Sequence, residues 1–413
     1  MPTRHAAFLY APMPAAYGAQ ATFTERRIRL CATAHTASSD KVIPLCKHGE
    51  KAYQLKRLNE IDSSICKFVQ ERLKAERFKI DEKWENIVNE YFNRIRNNFD
   101  DKERMARKEK VAILKEIANS RISVLIGGAG TGKTTLLSLL CKSKQIENGG
   151  ILLLAPTGKA RVKLSKTMNE MGIPHTALTI AQFLIRNDRF DWQTMRYRLS
   201  FKEARDVPST VIIDECSMMT EEMFGALVSA LSKAQRVIFV GDPNQLPPIG
   251  AGRPFVDLVR YLKHDLPTYP EPQVTKGFGE LTVTRRQSDD GKSYREDTQL
   301  AECFKESSEK FDDQIFTDLQ GNQLGKHITF KSWTTVEDLQ QKILETICQE
   351  TGMKSIDDAE GFDISLGGKI NKGWMDFGSL PSKLDSWQIL SAYKNDATVG
   401  SSVINRVIHE KYR

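Results

Sequence analysis

The sequence predicts an α/β protein: a parallel sheet with helices on both faces, a helical region before it and a second mixed region after it. Between residues 102 and 262, short apolar runs recur without polar alternation: SVLIG (123–127), ILLLA (151–155), VIID (211–214) and VIFVGD (237–242). Runs of this kind fit strands buried on both faces. Stretches with helical spacing lie between them, one beginning near Lys133, one near 158–170, and EEMFGALVSALSK at 221–233. Strands joined by helices build a parallel sheet, and right-handed crossovers place the loops after each strand along one edge. Ligands bind at that edge.

Composition bounds the rest. At ~100–200 residues per domain, 413 residues make two or three domains. With 40% hydrophobic and 27% charged residues, the chain is not wholly disordered. Lys+Arg 60 against Asp+Glu 53 gives +7, a mild excess that permits a polyanionic partner. The seven cysteines, Cys31, Cys46, Cys66, Cys141, Cys216, Cys303 and Cys348, are scattered and form no CxxC. They predict a reducing, cytoplasmic setting rather than a disulfide scaffold or a zinc ribbon. No apolar run approaches the ~18 residues of a membrane span, so no membrane partner is expected.

Along the chain, residues 6–21 are small and apolar and end in Ala-Gln-Ala, but two prolines interrupt them. A disordered leader over 1–45 is the expected reading rather than a signal peptide. A helical region follows at 46–103. Leu58, Ile61, Ile65, Phe68, Val69 and Leu73 share one face, and Trp84, Ile87, Val88, Tyr91, Ile95 and Phe99 share another. These amphipathic helices need a partner surface, either the domain that follows or another protein. The sheet domain spans 104–265 and carries a hairpin insertion at 186–200, whose Phe190, Trp192 and Tyr197 suit either base stacking or packing on the sheet. Residues 266–280, rich in Pro, Gly and Thr, read as a linker, and 281–413 as a second domain. In it SWQILSAY (386–393) is strand-like and 399–413 helix-like.

The chemistry concentrates at strand ends. Gly127, Gly128, Ala129, Gly130, Thr131, Gly132, Lys133, Thr134 and Thr135 form a complete GxxxxGK[ST] between a strand and a helix. Glycines let backbone N–H groups turn inward around an anion, and the helix N-terminus adds partial positive charge. Lys133 then reaches the β- and γ-phosphates of ATP, and the Thr134 hydroxyl can ligate Mg²⁺. Asp214 and Glu215 end the VIID strand. The first carboxylate suits the same magnesium and the second a water-activating base. Gln245, in GDPNQLPP, offers a neutral amide that can touch a γ-phosphate without adding negative charge.

In order along the chain, GGAGTGKTT, LLLAPTGKAR, TIAQFL, VIIDECSM, GDPNQLPPIGAGRPF and LTVTRRQ resemble the superfamily 1 helicases of the RecD type. The resemblance covers roughly 104–413. It implies two RecA-like domains, 1A and a partial 2A, that use ATP and Mg²⁺ to move along single-stranded DNA, usually 5′ to 3′, without sequence preference. Such motors serve repair and recombination among other pathways. The resemblance makes Gly127–Thr135 the Walker A loop, Asp214 and Glu215 the Walker B pair, and Gln245 the motif III sensor. Thr157, Lys159 and Arg161, in Ala155–Arg161, match a DNA-facing motif. Thr179 matches another, although Ala181 stands where the family often has histidine. Arg286, just before Gln287, matches an arginine of the second domain that reaches the γ-phosphate. The adenine-reading glutamine usual upstream has no counterpart in 101–115. The family's later motifs are likewise missing, which predicts a truncated chain that hydrolyses ATP slowly.

Two function classes follow. One is an ATP-driven DNA translocase or helicase. The other is a nucleotide-binding regulatory or scaffold module without strand motion. The DNA-facing loops favour the first.

Overall fold

The computed structural model describes residues 42–47, 50–94, 101–128, 130–198, 203–264, 266, 272–283, 300, 321, 328–371, 374–377, 387–391 and 393–412. The chain divides into two units, Met1–Ser293 and Tyr294–Arg413.

In the first unit, β1 (Val42–Lys47) and β2 (Glu50–Leu55) pair antiparallel, and three helices follow: α1 (Lys56–Lys74), α2 (Trp84–Asn93) and α3 (Asp101–Asn119). Strand and helix then alternate through β3 (Ile122–Gly127), α4 (Lys133–Cys141), α5 (Lys144–Glu147), β4 (Ile151–Ala155), α6 (Gly158–Glu170), β5 (Thr176–Thr179) and α7 (Ile180–Arg186). A hairpin of β6 (Phe190–Asp191) and β7 (Arg196–Tyr197) intervenes before β8 (Thr210–Ile213), α8 (Glu221–Ala230), β9 (Arg236–Gly241) and α9 (Pro254–Lys263). Two short strands, β10 (Val274–Thr275) and β11 (Phe278–Leu281), complete the sheet.

The main sheet runs β10-β11-β3-β9-β8-β4-β5 and is parallel except for β10. Both faces are buried, as continuous apolar strands require. Val124 and Ile126 of β3 join Ile61, Ile65, Phe224 and Phe255 in one core. Leu125 between them joins Trp84, Val88, Ile113 and Leu137 in the other.

The N-terminal helices therefore belong to this unit. The apolar stripe predicted on α1 packs against α8, and that of α2 against α3. The predicted outer members Ile95 and Phe99, and most of the expected leader at 1–45, lie outside the described residues. The contact of α1 with α8 is close at one position. A Cβ on Gly225 would sit 2.7 Å from Ile61 Cγ2. Replacing Gly225 with Val should lower the unfolding free energy by about 1–3 kcal/mol through overpacking. Combined with Ile61→Ala, the loss should fall short of the sum of the two single losses, since each variant relieves the other. Urea unfolding of the four proteins measures it, and strict additivity would place α1 elsewhere.

Three expected boundaries shift. The helical region expected from 46 begins at Lys56: residues 46–47 and 50–55 lie in the strands β1 and β2. The boundary expected at 103/104 falls inside α3, a continuous helix. The linker expected at 266–280 contains β10 and most of β11, and Phe278 and Leu281 are buried where β11 pairs with β3. A four-residue strand containing Gly279 gives too little pattern to read, yet the existing β3 edge recruits it.

In the second unit, α10 (Val336–Thr351), α11 (Ala359–Ser365) and α12 (Ser401–Tyr412) enclose a small core of Leu344, Ile347, Met353, Phe362 and Tyr412. The Phe362 and Tyr412 rings stack with centroids 4.2 Å apart. β12 (Lys369–Asn371) and β13 (Trp374–Asp376) pair antiparallel. Among the described residues of this unit, no parallel strand pair corresponds to the RecA-like sheet expected at 281–413. The strand expected at 386–393 is absent over 387–391. There the Trp387 indole N–H donates to Ser365 Oγ at 3.3 Å, so its apolar bulk packs on α11 instead of entering a strand.

Candidate active site

The strand order β3-β9-β8 brings three loops together, because β9 lies between the strands that precede the glycine-rich loop and the acidic pair. After β3 the chain turns through Gly130 at φ +79° and Gly132 at φ +94°, left-handed conformations that suit glycine. Gly132 is the N-cap of α4, so the helix opens at Lys133 as the sequence predicts. Thr131 is buried, and its hydroxyl donates to Gly128 O at 2.9 Å. Lys133 folds over the loop and donates from Nζ to the Gly127 and Gly128 carbonyls, the latter at 3.1 Å. Thr134 and Thr135 are half-buried in the first turn of α4. Ala129 and Arg286 lie outside the described residues.

Asp214 sits one residue past β8 and accepts a hydrogen bond from the Glu215 N–H at 2.9 Å. Glu215 adopts φ +54°, ψ +41°, a left-handed conformation uncommon outside glycine. A 3₁₀ turn, Cys216–Met218, follows. After β9, Asp242 Oδ1 accepts from the Asn244 N–H at 3.0 Å and its carbonyl from the Gln245 N–H at 3.2 Å, which closes the turn. The Ser217 hydroxyl donates to Gln245 Oε1 at 3.1 Å and ties the two loops together.

The charges perturb one another. Burial lowers the pKa of the Lys133 ammonium, against the opposing pull of Asp242, Asp214 and Glu215. Burial likewise raises that of Asp214, with the Glu215 N–H drawing it down and the Glu215 charge pushing it further up. Opposed groups shifted by desolvation beside one another mark a candidate functional site.

The loops after β4 and β5 hold the other predicted residues. Ala155 and Thr179 are register partners, so these loops are neighbours on the edge that carries the glycine-rich loop. Thr157 caps α6, accepting from the Ala160 N–H at 3.2 Å. Thr179 caps α7 in a reciprocal box with Gln182. Lys159 is exposed and Arg161 half-buried on the first turn of α6. In the hairpin, the Phe190 and Tyr197 rings lie 4.8 Å apart and pack on the core, whereas Trp192 is 66% exposed.

Two features escape sequence reasoning. Ser217 carries no motif signal beyond its nearness to the acidic pair. On α3, charged residues are buried: Glu109 accepts from the Thr282 N–H and hydroxyl at 2.7 and 2.6 Å. Lys110 is 1% exposed, its Cε 3.7 Å from where a Cβ on Gly132 would lie.

Residues 105–269 match the family model described as AAA domain. An uncharacterised protein of Methanocaldococcus jannaschii is 26% identical over 307 residues, covering 71% of this chain and 24% of its own length. The ATP-dependent RecD2 DNA helicase of Deinococcus radiodurans is 34% identical over 37% of this chain and 20% of its own. The RecBCD enzyme subunit RecD of Buchnera aphidicola is 30% identical over 51% of this chain and 34% of its own. The chain thus spans between a fifth and about a third of the length of these relatives.

Proposed function

We propose that this chain, a RecD-type superfamily 1 relative with an AAA domain at residues 105–269, is an ATP hydrolase that couples turnover to movement along single-stranded DNA. One observation carries the reading: Lys133, Asp214, Glu215 and Gln245 converge from three adjacent strand ends. The loops bearing Thr157 and Thr179 lie further along the same edge, β5 being four strands from β3. At ~4.8 Å per strand, β3 and β5 are about 19 Å apart, whereas β4, which leads to Thr157, directly adjoins β8.

The residues fit ATP and Mg²⁺. The left-handed glycines at 130 and 132 let the backbone approach phosphates closely, and Lys133 supplies a cation already selected by the loop's carbonyls. Thr134 and Asp214 offer hard oxygens, about the number magnesium takes when phosphates supply the rest. The metal would neutralise charge on the transferring phosphoryl group. Glu215 holds and orients the attacking water and accepts its proton, and Gln245 senses the γ-phosphate through its amide.

Lys159 and Arg161 would bind DNA phosphates, contacts that carry no sequence information. The direction, 5′ to 3′, follows the RecD-type resemblance. The Thr157 and Thr179 hydroxyls are already engaged as helix caps, which favours a second reading, a nucleotide-binding regulatory module. ATP hydrolysis measured with and without single-stranded DNA decides between them. Many-fold stimulation supports the motor, and equal rates the module. Two phosphate contacts, from Lys159 and Arg161, predict about a sevenfold loss of DNA affinity between ~50 and ~200 mM salt. Fluorescence anisotropy with several unrelated oligonucleotides should give one common slope. A strong preference for one sequence at fixed salt would refute phosphate-led binding.

A further inference from the structure

We propose that Ser217 is a positioning residue for Gln245, anchoring its amide beside the acidic pair where it can meet the nucleotide. The inference rests on the proposed ATP site and goes beyond it.

Ser217 is 5% exposed, whereas Gln245 lies on an exposed turn. Their hydrogen bond, Ser217 Oγ to Gln245 Oε1 at 3.1 Å, joins residues 28 apart in sequence. The serine end is held rigidly. Cys216 is fully buried, and its thiol donates to Ile213 O at 3.1 Å. The Met218 and Met219 amides close the turn onto the Glu215 and Cys216 carbonyls at 3.2 and 3.1 Å. The glutamine end is fixed only through its backbone, by the Asp242 turn. Its side chain therefore takes its orientation from Ser217.

A primary amide has an acceptor end and a donor end. With Oε1 engaged by Ser217, the two N–H groups of Nε2 remain for another acceptor. A γ-phosphate offers only acceptor oxygens and negative charge, so it attracts this orientation and repels the flipped one. Without Ser217 the exposed side chain loses its anchor, and the sensor loses part of its preference for a triphosphate. The same bond runs from the turn after Asp214 and Glu215 to the turn after β9. Occupancy of the γ-phosphate position is thereby transmitted directly to the residues that handle the water.

The test is a double-mutant cycle on the full chain, Ser217→Ala with Gln245→Ala, plus Ser217→Thr. The primary readout is binding of Mg·AMP-PNP relative to Mg·ADP by titration calorimetry, which needs no turnover. Ser217→Ala should shift that ratio toward ADP by about fivefold, one hydrogen bond's worth. Gln245→Ala should do the same or more, and the double variant should match Gln245→Ala alone. Ser217→Thr, which keeps the hydroxyl, should restore the ratio. Where turnover is measured, Ser217→Ala should raise KM for ATP by about the same fivefold. An unchanged ratio in Ser217→Ala, additive losses in the double variant, or no rescue by threonine would each overturn the proposal and leave the ATP site standing. A wild-type chain that binds neither nucleotide would overturn both.

Discussion

Replacing Lys133 with alanine should raise the Kd for Mg·ATP by about 100-fold while leaving the far-UV circular dichroism and thermal midpoint nearly unchanged, because a charge-assisted contact is worth up to about 3 kcal/mol. The side chain is half-buried, and the partners found for its Nζ are carbonyls of the loop itself, so no core contact depends on it. Its burial already disfavours the ammonium, and Asp242, Asp214 and Glu215 hold it charged. Removing that one cation leaves three carboxylates facing the phosphates, so binding suffers from repulsion as well as from the lost contact. Lys163→Ala is the control: its charge acts on Lys133 only from a distance, as the last of the influences on it. It should change the Kd by about twofold at most, as expected of an exposed, screened charge. Calorimetric titration of the three proteins with Mg·ATP measures both. Wild-type affinity in Lys133→Ala would remove the glycine-rich loop from the nucleotide site.

The seven-stranded sheet is legible because its signals are long and agree with one another. ILLLA marks β4 residue for residue, and the GxxxxGK[ST] string fixes both the end of β3 and the first residue of α4. Five-residue apolar runs, a glycine turn and an amphipathic helix reinforce one answer. The elements missed are those whose stability comes from tertiary context. β11 is four residues long and exists because β3 offers it an edge, and β1–β2 precedes a helical pattern strong enough to mask it. Nothing in the sequence of α3 marks Glu109 as buried, yet it accepts hydrogen bonds from Thr282 beyond β11. The candidate site divides in the same way. Lys133, Asp214, Glu215 and Gln245 announce themselves by motif, because phosphate chemistry demands those types at those spacings. Ser217 does not, since a serine beside an acidic pair gains meaning only when folding brings a turn 28 residues away against it.

Glu215→Gln should bind Mg·ATP within about twofold of wild type yet hydrolyse it ~10²–10⁴-fold more slowly, the usual contribution of a general base. Glutamine keeps the length and shape of the side chain and removes only the charge that accepts the proton. The backbone gives a second, independent handle. Glu215 is held at φ +54°, a conformation that costs a non-glycine residue about 1–2 kcal/mol. That cost persists because Asp214 Oδ1 receives the Glu215 N–H and the following 3₁₀ turn returns to the Glu215 carbonyl. The Glu215 charge acts on the Lys133 ammonium and helps to keep it protonated. Glu215→Gly removes both the strain and the base. It should therefore unfold at a free energy about 1 kcal/mol higher than wild type while losing turnover as fully as the glutamine variant. Glu215→Gln, which keeps the strain, should match wild type in stability. Urea unfolding together with single-turnover hydrolysis on the three proteins separates the two effects. A glycine variant less stable than wild type would mean that the left-handed turn is held by the glutamate side chain, and undiminished hydrolysis in Glu215→Gln would move the base to another residue.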